Sequence, residues 1–238
     1  SRYGGIAPSG LSDVQSIYST NFAFACLKTD GSVLAFGLSS YGGTAPSGLT
    51  YVHTIFATAY AFACLKTDGS VVAFGLSSHG GNAPSGLNDV QSIYSTDAAF
   101  AALKNDGSVV AWGLSGWGSN APSGLTNVKA IFSTRYAFAC LKIDGRVVAF
   151  GNSNSGGNAP SGLTNVETIY STHGAFACLK TDGSVVSFGS TNSGGNAPSG
   201  LTNVKSIFST EHAFACFKID GSVVAFGTLN NGSIVPSG

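Results

Sequence analysis

The chain has 238 residues, 11 Lys or Arg against 11 Asp or Glu, and only 9% charged residues in all. A neutral, charge-poor chain lacks the basic footprint that a phosphate backbone demands, so nucleic acid is not expected as a partner. Gly, Ser and Pro interrupt every apolar stretch before it reaches the roughly 18 residues of a membrane helix, so membrane insertion is not expected either.

Pro8, Pro46, Pro84, Pro122, Pro160, Pro198 and Pro236 stand 38 residues apart, and each opens a Pro-Ser-Gly. A unit of 38 residues is too short to bury a core of its own and must stack on its copies. The repeats start at 8, 46, 84, 122, 160 and 198, and a single domain over 1–238 is expected. Segments 1–7 and 236–238 then meet where the array closes. There Ile6 and Ile234, placed where internal repeats carry Thr44 or Asn82, are expected to bury each other or to join subunits. The start at Ser1 and the absence of Met suggest that an initiator or leader has been removed.

In the first repeat, residues 14–19, 23–28 and 32–36 are short runs rich in β-formers. Asp30-Gly31 between the second and third is a strong hairpin signal, which makes those two strands antiparallel. A loop Leu-Ser-Ser-Tyr-Gly-Gly follows. Residues 44–49 are expected to add a short fourth strand, which Pro46 restricts to an edge. Phe24 and Cys26 alternate with Ala23, Ala25 and Leu27, so both faces of the second strand are apolar and both must be buried. A blade held between two neighbours meets that need, its Phe-bearing face packing on an Ala-bearing one. The fold expected is all-β: a six-bladed β-propeller with three long strands and a short fourth in each blade. Cys26, Cys64, Cys140, Cys178 and Cys216 share one repeat position, with Ala102 in the sixth copy. Equivalent strand positions are too far apart for disulfides, so these read as small buried hydrophobes.

The string Ala-Phe-Ala-Cys-Leu-Lys-Thr-Asp-Gly-Ser-Val-Val-Ala-Phe-Gly resembles the short-repeat branch of the regulator of chromosome condensation family of propellers. It looks closest to the compact secreted β-lactamase-inhibitor propellers of bacteria, and the likeness covers the whole chain. It favours a secreted or extracellular protein. Those inhibitors have seven blades, and Phe36, Phe74, Phe150, Phe188 and Phe226 stand where Trp is commonest, with only Trp112 matching. The Trp cluster that the family's photoreceptors need is absent.

Comparison of the repeats isolates two variable sites. The turn after the first strand reads Asn21-Phe22, Ala59-Tyr60, Asp97-Ala98, Arg135-Tyr136, His173-Gly174 and Glu211-His212. The loop after the third strand carries Tyr41, His79, Trp117, Ser155, Ser193 and Asn231. In an up-down-up blade these loops share one rim, opposite the constant Asp-Gly hairpins. Aromatic residues on loops above a rigid frame are typical anchors for a partner. The expected partner-binding residues are Phe22, Tyr41, Tyr60, His79, Asp97, Trp117, Arg135, Tyr136, His173, Glu211 and His212. The resemblance implies Phe22, Tyr41, Tyr60, Trp117 and Tyr136 as the first of these, because the corresponding face of the inhibitors contacts their target.

A further variable set, Gln15, His53, Gln91, Lys129, Glu167 and Lys205, lies early in the first strand. If that strand is innermost, as the resemblance implies, the set borders a polar central channel. No nucleophile elbow or phosphate-binding glycine motif is present, and no catalytic residue, cofactor or metal is expected. His173, Glu211 and His212 are the one grouping of metal-ligand types, and Asn231-Gly232-Ser233 matches a glycosylation acceptor. The expected function is a non-enzymatic binding or scaffold propeller that engages a protein. A glycan-binding propeller and a structural subunit of a larger assembly are the alternatives.

Overall fold

Each repeat folds into a three-stranded antiparallel sheet, and six such sheets occur in a computed structural model that describes residues 6–228. The chain divides into two units, Ser1–Ala121 and Pro122–Gly238. The first holds β1 (Val14–Ser19), β2 (Ala23–Lys28) and β3 (Val33–Gly37), then β4 (Val52–Ala57), β5 (Ala61–Lys66) and β6 (Val71–Gly75), then β7 (Val90–Ser95), β8 (Ala99–Lys104) and β9 (Val109–Gly113). The second holds β10 (Val128–Ser133), β11 (Ala137–Lys142) and β12 (Val147–Gly151), then β13 (Val166–Ser171), β14 (Ala175–Lys180) and β15 (Val185–Gly189), then β16 (Val204–Ser209), β17 (Ala213–Lys218) and β18 (Val223–Gly227). Ile234 and segments 1–5 and 236–238, expected at the closure, lie outside the described residues, as do Asn231 and the glycosylation motif. Ile6, which is described, is exposed.

Within a unit, consecutive blades pack through one repeated contact. Ala23, Ala25 and Leu27 of the first blade meet Ile55, Phe62, Cys64 and Phe74 of the second. Ala61, Ala63 and Leu65 then meet Ile93, Phe100 and Trp112. The second unit repeats the pattern twice, with Phe176 and then Phe214 as the central ring. A glycine of the preceding repeat seats each ring: a Cβ on Gly42 would lie 2.7 Å from the Phe62 ring, and one on Gly80 would lie 2.6 Å from Phe100. Trp112, the one Trp at its position, also donates its indole N–H to the Gly80 carbonyl at 3.0 Å. Ala102, which lacks the sulfur of its five counterparts, lies in the same cluster.

One local expectation is corrected: residues 44–49 form no strand. Pro46 has no N–H to give, and the segment stands off β3 across an open groove of about 390 Å³ lined by Val33, Leu34, Ala35, Ala45 and Pro46. It returns one backbone bond, from Val33 N–H to the Leu49 carbonyl. The hairpin has a three-residue loop, Thr29, Asp30 and Gly31, as the strand bounds in the sequence imply. Lys28 N–H reaches the Ser32 carbonyl, Gly31 N–H reaches that of Lys28, and only Gly31 has positive φ, at 78°. This is a type I turn closed by a left-handed glycine, in which Asp30 accepts from Ser32 N–H and Oγ at 2.9 and 2.6 Å. Four of the loops after the third strand wind into a 3₁₀ turn, Ser39–Tyr41, Ser77–His79, Ser153–Ser155 and Thr191–Ser193.

The first strand of every blade also carries a bulge. In β1 Val14 opposes Lys28 and Ser16 opposes Leu27, so Gln15 is the extra residue. His53, Gln91, Lys129, Glu167 and Lys205 hold the same place, and all six are exposed.

Candidate functional site

The two variable loops of each blade are fixed by a constant threonine between them. Thr58 Oγ1 accepts from Ala61 N–H at 3.0 Å and donates to the His79 carbonyl at 3.1 Å, which ties the loop after β4 to the loop after β6. Thr20 and Thr96 do the same with Tyr41 and Trp117. Thr134 and Thr172 reach Ser155 and Ser193. Neighbouring loops within a unit are joined main chain to main chain, Asn21 N–H to Ala59 and Ala59 N–H to Asp97 in the first, Arg135 to His173 and His173 to Glu211 in the second. The glycine ending the third strand completes the frame, since a Cβ on Gly75 would sit 2.7 Å from the Tyr60 carbonyl oxygen. The variable residues thus enter the frame through their backbones, which leaves their side chains free to differ.

In the first unit those side chains form an aromatic cluster. Phe22 lies 5.0 Å from Tyr41 and 5.9 Å from Tyr60, ring centre to ring centre; Tyr41 lies 5.3 Å from Tyr60, and Tyr60 meets His79 edge-on at 4.8 Å. These are ordinary aromatic packing distances. Burial holds the His79 imidazole below its ordinary pKa, favouring the uncharged ring.

The same loops in the second unit gather charge. Arg135 lies over the Tyr136 ring at 5.2 Å and brings Nη1 within 3.2 Å of His173 Nε2. Glu211 Oε1 sits 3.4 Å from His173 Nδ1 and 3.6 Å from His212 Nε2. Tyr136 meets His173 edge-on at 6.1 Å, and the two imidazoles are 5.6 Å apart. Among the described residues no group of three or more His, Cys, Asp and Glu side chains could hold a metal ion.

The loops are less open than their sequence variability suggests. Phe22, Tyr41, Tyr60, His79, Asp97, Trp117, Tyr136, His173 and His212 are half-buried, and only Arg135 and Glu211 among the expected residues are exposed. Ser155 and Ser193 are buried outright. Part of the cover is mutual, since Phe22, Tyr41, Tyr60 and His79 pack on one another, and so do Tyr136, His173 and His212. Burial also disposes of the thiols as nucleophiles: it pushes Cys64, Cys140 and Cys178 up to about 12, pushes Cys216 to about 11, and raises Cys26 as well.

Three-stranded antiparallel blades packed ring face on alanine face are those of a β-propeller fold. Solved structures share that fold. The ectodomain of the Physcomitrella patens receptor kinase CR4 matches 90% of this chain at 17% identity and a TM-score of 0.56. The chain spans 61% of that ectodomain. Prp20p of Saccharomyces cerevisiae, the yeast RCC1, matches 89% of the chain at 15% identity and a TM-score of 0.53, over 71% of its own length. Its structure bound to Kap60 matches 90% of the chain at 16% identity and a TM-score of 0.52, over 70%. No protein-family model and no curated protein matches the sequence.

Proposed function

We propose that the chain is a non-enzymatic binding propeller whose loops after the first and third strands engage a protein. The observation that carries this reading is the gathering of variable side chains into clusters on a backbone that does not vary. Half-buried aromatic rings such as Tyr41 and Tyr60 offer large contact area with little rotamer entropy left to lose. Arg135 and Glu211 supply the charge that orients a partner. Prp20p, which shares the fold, has been studied for its binding to Gsp1p and histones, and a complex of it with Kap60 has been solved.

The test is affinity capture from the native source with the wild-type chain, Tyr60→Ala, and Gln91→Ala as an off-face control. Proteins retained by wild type and the control but lost with Tyr60→Ala support the reading. Equal capture by all three would sink it. Binding to a glycan array competed by one simple sugar would replace the protein partner with a carbohydrate.

A further inference from the structure

Each blade ends on its third strand, and the fourth blade ends on an edge unlike the others. β12 pairs with β11 on one side and with no strand on the other. Lys142 N–H reaches the Arg146 carbonyl, so by antiparallel alternation Val148 and Phe150 turn their backbone groups toward β11, and Val147 and Ala149 turn theirs outward. The first, second and fifth repeats use one such outward group: the N–H of Val33, Val71 and Val185 reaches the carbonyl of Leu49, Leu87 and Leu201 at 3.3, 3.3 and 3.2 Å. Val147 makes no such bond among the described residues, and an open groove of about 450 Å³ lies between β12 and residues 158–163. On its far wall the half-buried Ala159 has no acceptor for its N–H among the described residues. In the fifth repeat the matching N–H, of Ala197, goes to the Ser187 hydroxyl at 2.6 Å, and Ala149 is the counterpart of that serine.

The mouth of this groove carries a second cation. Arg146 stands where the other five repeats have Ser. It takes Asp144, Nε to Oδ2 at 3.1 Å, whereas in the second, fifth and sixth repeats the matching aspartate lies 3.9, 3.7 and 3.9 Å from the lysine. The Lys142 ammonium is left without an ion-pair partner among the described residues, and both Lys142 and Arg146 line the groove.

We propose that the outer edge of β12 receives an extended peptide segment bearing an acidic side chain, which adds to the blade as a fourth strand. An edge with no proline or charge of its own is a template for another strand, and β12, Val-Val-Ala-Phe-Gly, has neither. The peptide's carbonyls accept from the outward N–H groups of Val147 and Ala149, and its own N–H groups give to the outward carbonyls. Ala159 N–H offers a further donor from the opposite wall. The peptide's carboxylate meets Lys142 and Arg146 at the hairpin end, which selects an acidic segment over a basic one and fixes its register. These residues belong to the outer edge and hairpin end of one blade, not to the loop face.

Amide proton–nitrogen NMR spectra of the full chain test it, with a set of peptides based on acetyl-Thr-Val-Thr-Val-Thr-amide in which Glu replaces each position in turn, and a matching Lys set. At least one Glu peptide should shift the Val147, Ala149 and Ala159 amides with a Kd below about 1 mM, and no Lys peptide should. Arg146→Ser and Ala149→Ser each install a residue that another repeat carries at the same position, so both variants are expected to fold. Arg146→Ser should weaken binding about two- to fivefold, an effect that high salt removes. Ala149→Ser should weaken it about three- to tenfold, because the new hydroxyl takes the Ala159 N–H as Ser187 takes that of Ala197. Absence of shifts at these amides with every Glu peptide would overturn the proposal, and so would equal binding of the Lys set or wild-type affinity in Ala149→Ser. A dimer of the unliganded chain in sedimentation equilibrium that Ala149→Ser dissolves would also overturn it, assigning the edge to a second copy.

Discussion

Tyr60 and His173 occupy adjoining positions in the same turn of the repeat, yet one packs among three aromatic rings and the other between an arginine and a carboxylate. Beneath them Thr58 and Thr172 make the same bonds, with Ala61 N–H and Ala175 N–H at 3.0 and 3.1 Å. The comparison teaches that the frame fixes where a side chain stands and is indifferent to what it is. Chemistry at these loops can change without cost to the fold, provided the threonine below and the third-strand glycine beside it stay.

The largest effect expected is in the shared core. Phe100→Ala in the first unit and Phe176→Ala in the second should each cost about 3 to 5 kcal/mol in urea unfolding, because each removes a fully buried ring. A clear inequality between them would break the equivalence of the units. We further propose that 1–238 is one domain, which requires each of those curves to show a single transition.

Next come the threonines. Thr58→Ala and Thr172→Ala should cost about 1 to 3 kcal/mol and agree with each other, since each strands a buried alanine N–H and a loop carbonyl. If only one is destabilising, the frame is not common to both clusters.

Smaller effects should then separate the clusters. Tyr60→Ala should cost about 0.5 to 1.5 kcal/mol from lost ring contacts, unchanged by salt. His173→Ala should cost less than about 1 kcal/mol, and the difference should shrink between about 0.01 M and about 1 M salt, as partly exposed charge contacts are screened. Melting curves at the two salt concentrations check both.

The smallest effect belongs to the opposite hairpins, where the units are alike. Hydrogen bonds from Ser32, Ser70, Ser108, Ser184 and Ser222 hold the carboxyls of Asp30, Asp68, Asp106, Asp182 and Asp220 below their ordinary value. A depressed folded pKa stabilises the fold at pH above the unfolded value, near 3.9, and that contribution is lost as pH falls through the folded value. The melting temperature should therefore be flat with respect to these groups above about pH 5 and drop below about pH 4. A Ser70→Ala variant should lose part of that acid dependence.

Much of the fold was legible because Phe24 and Ala25 alternate in a strand that must bury both faces, and only stacked blades satisfy that. The details that escaped depend on neighbours in space. Ser155 and Ser193 look like loop residues, yet their carbonyls accept from Thr134 and Thr172 and their side chains are covered. The missing fourth strand was signalled by Pro46 and Gly48 together, because one lacks a donor and the other adopts φ of 72°. The bulge was signalled as well: one freely varying residue inside an otherwise constant strand, such as His53 between Val52 and Thr54, marks a side chain that the ladder does not use. His173, Glu211 and His212 stood out as a group in the sequence, but the distances between them depend on side-chain reach across repeats, which the repeat pattern does not carry.

The five buried thiols give the protein a built-in set of reporters. While a blade stays closed its sulfur is hidden and protonated, so an alkylating reagent passes it by; once the blade opens, the sulfur recovers the reactivity of an ordinary cysteine. Peptide mapping after a brief pulse of reagent would therefore record which repeats had opened, with the third, where Ala102 replaces the cysteine, as the silent position.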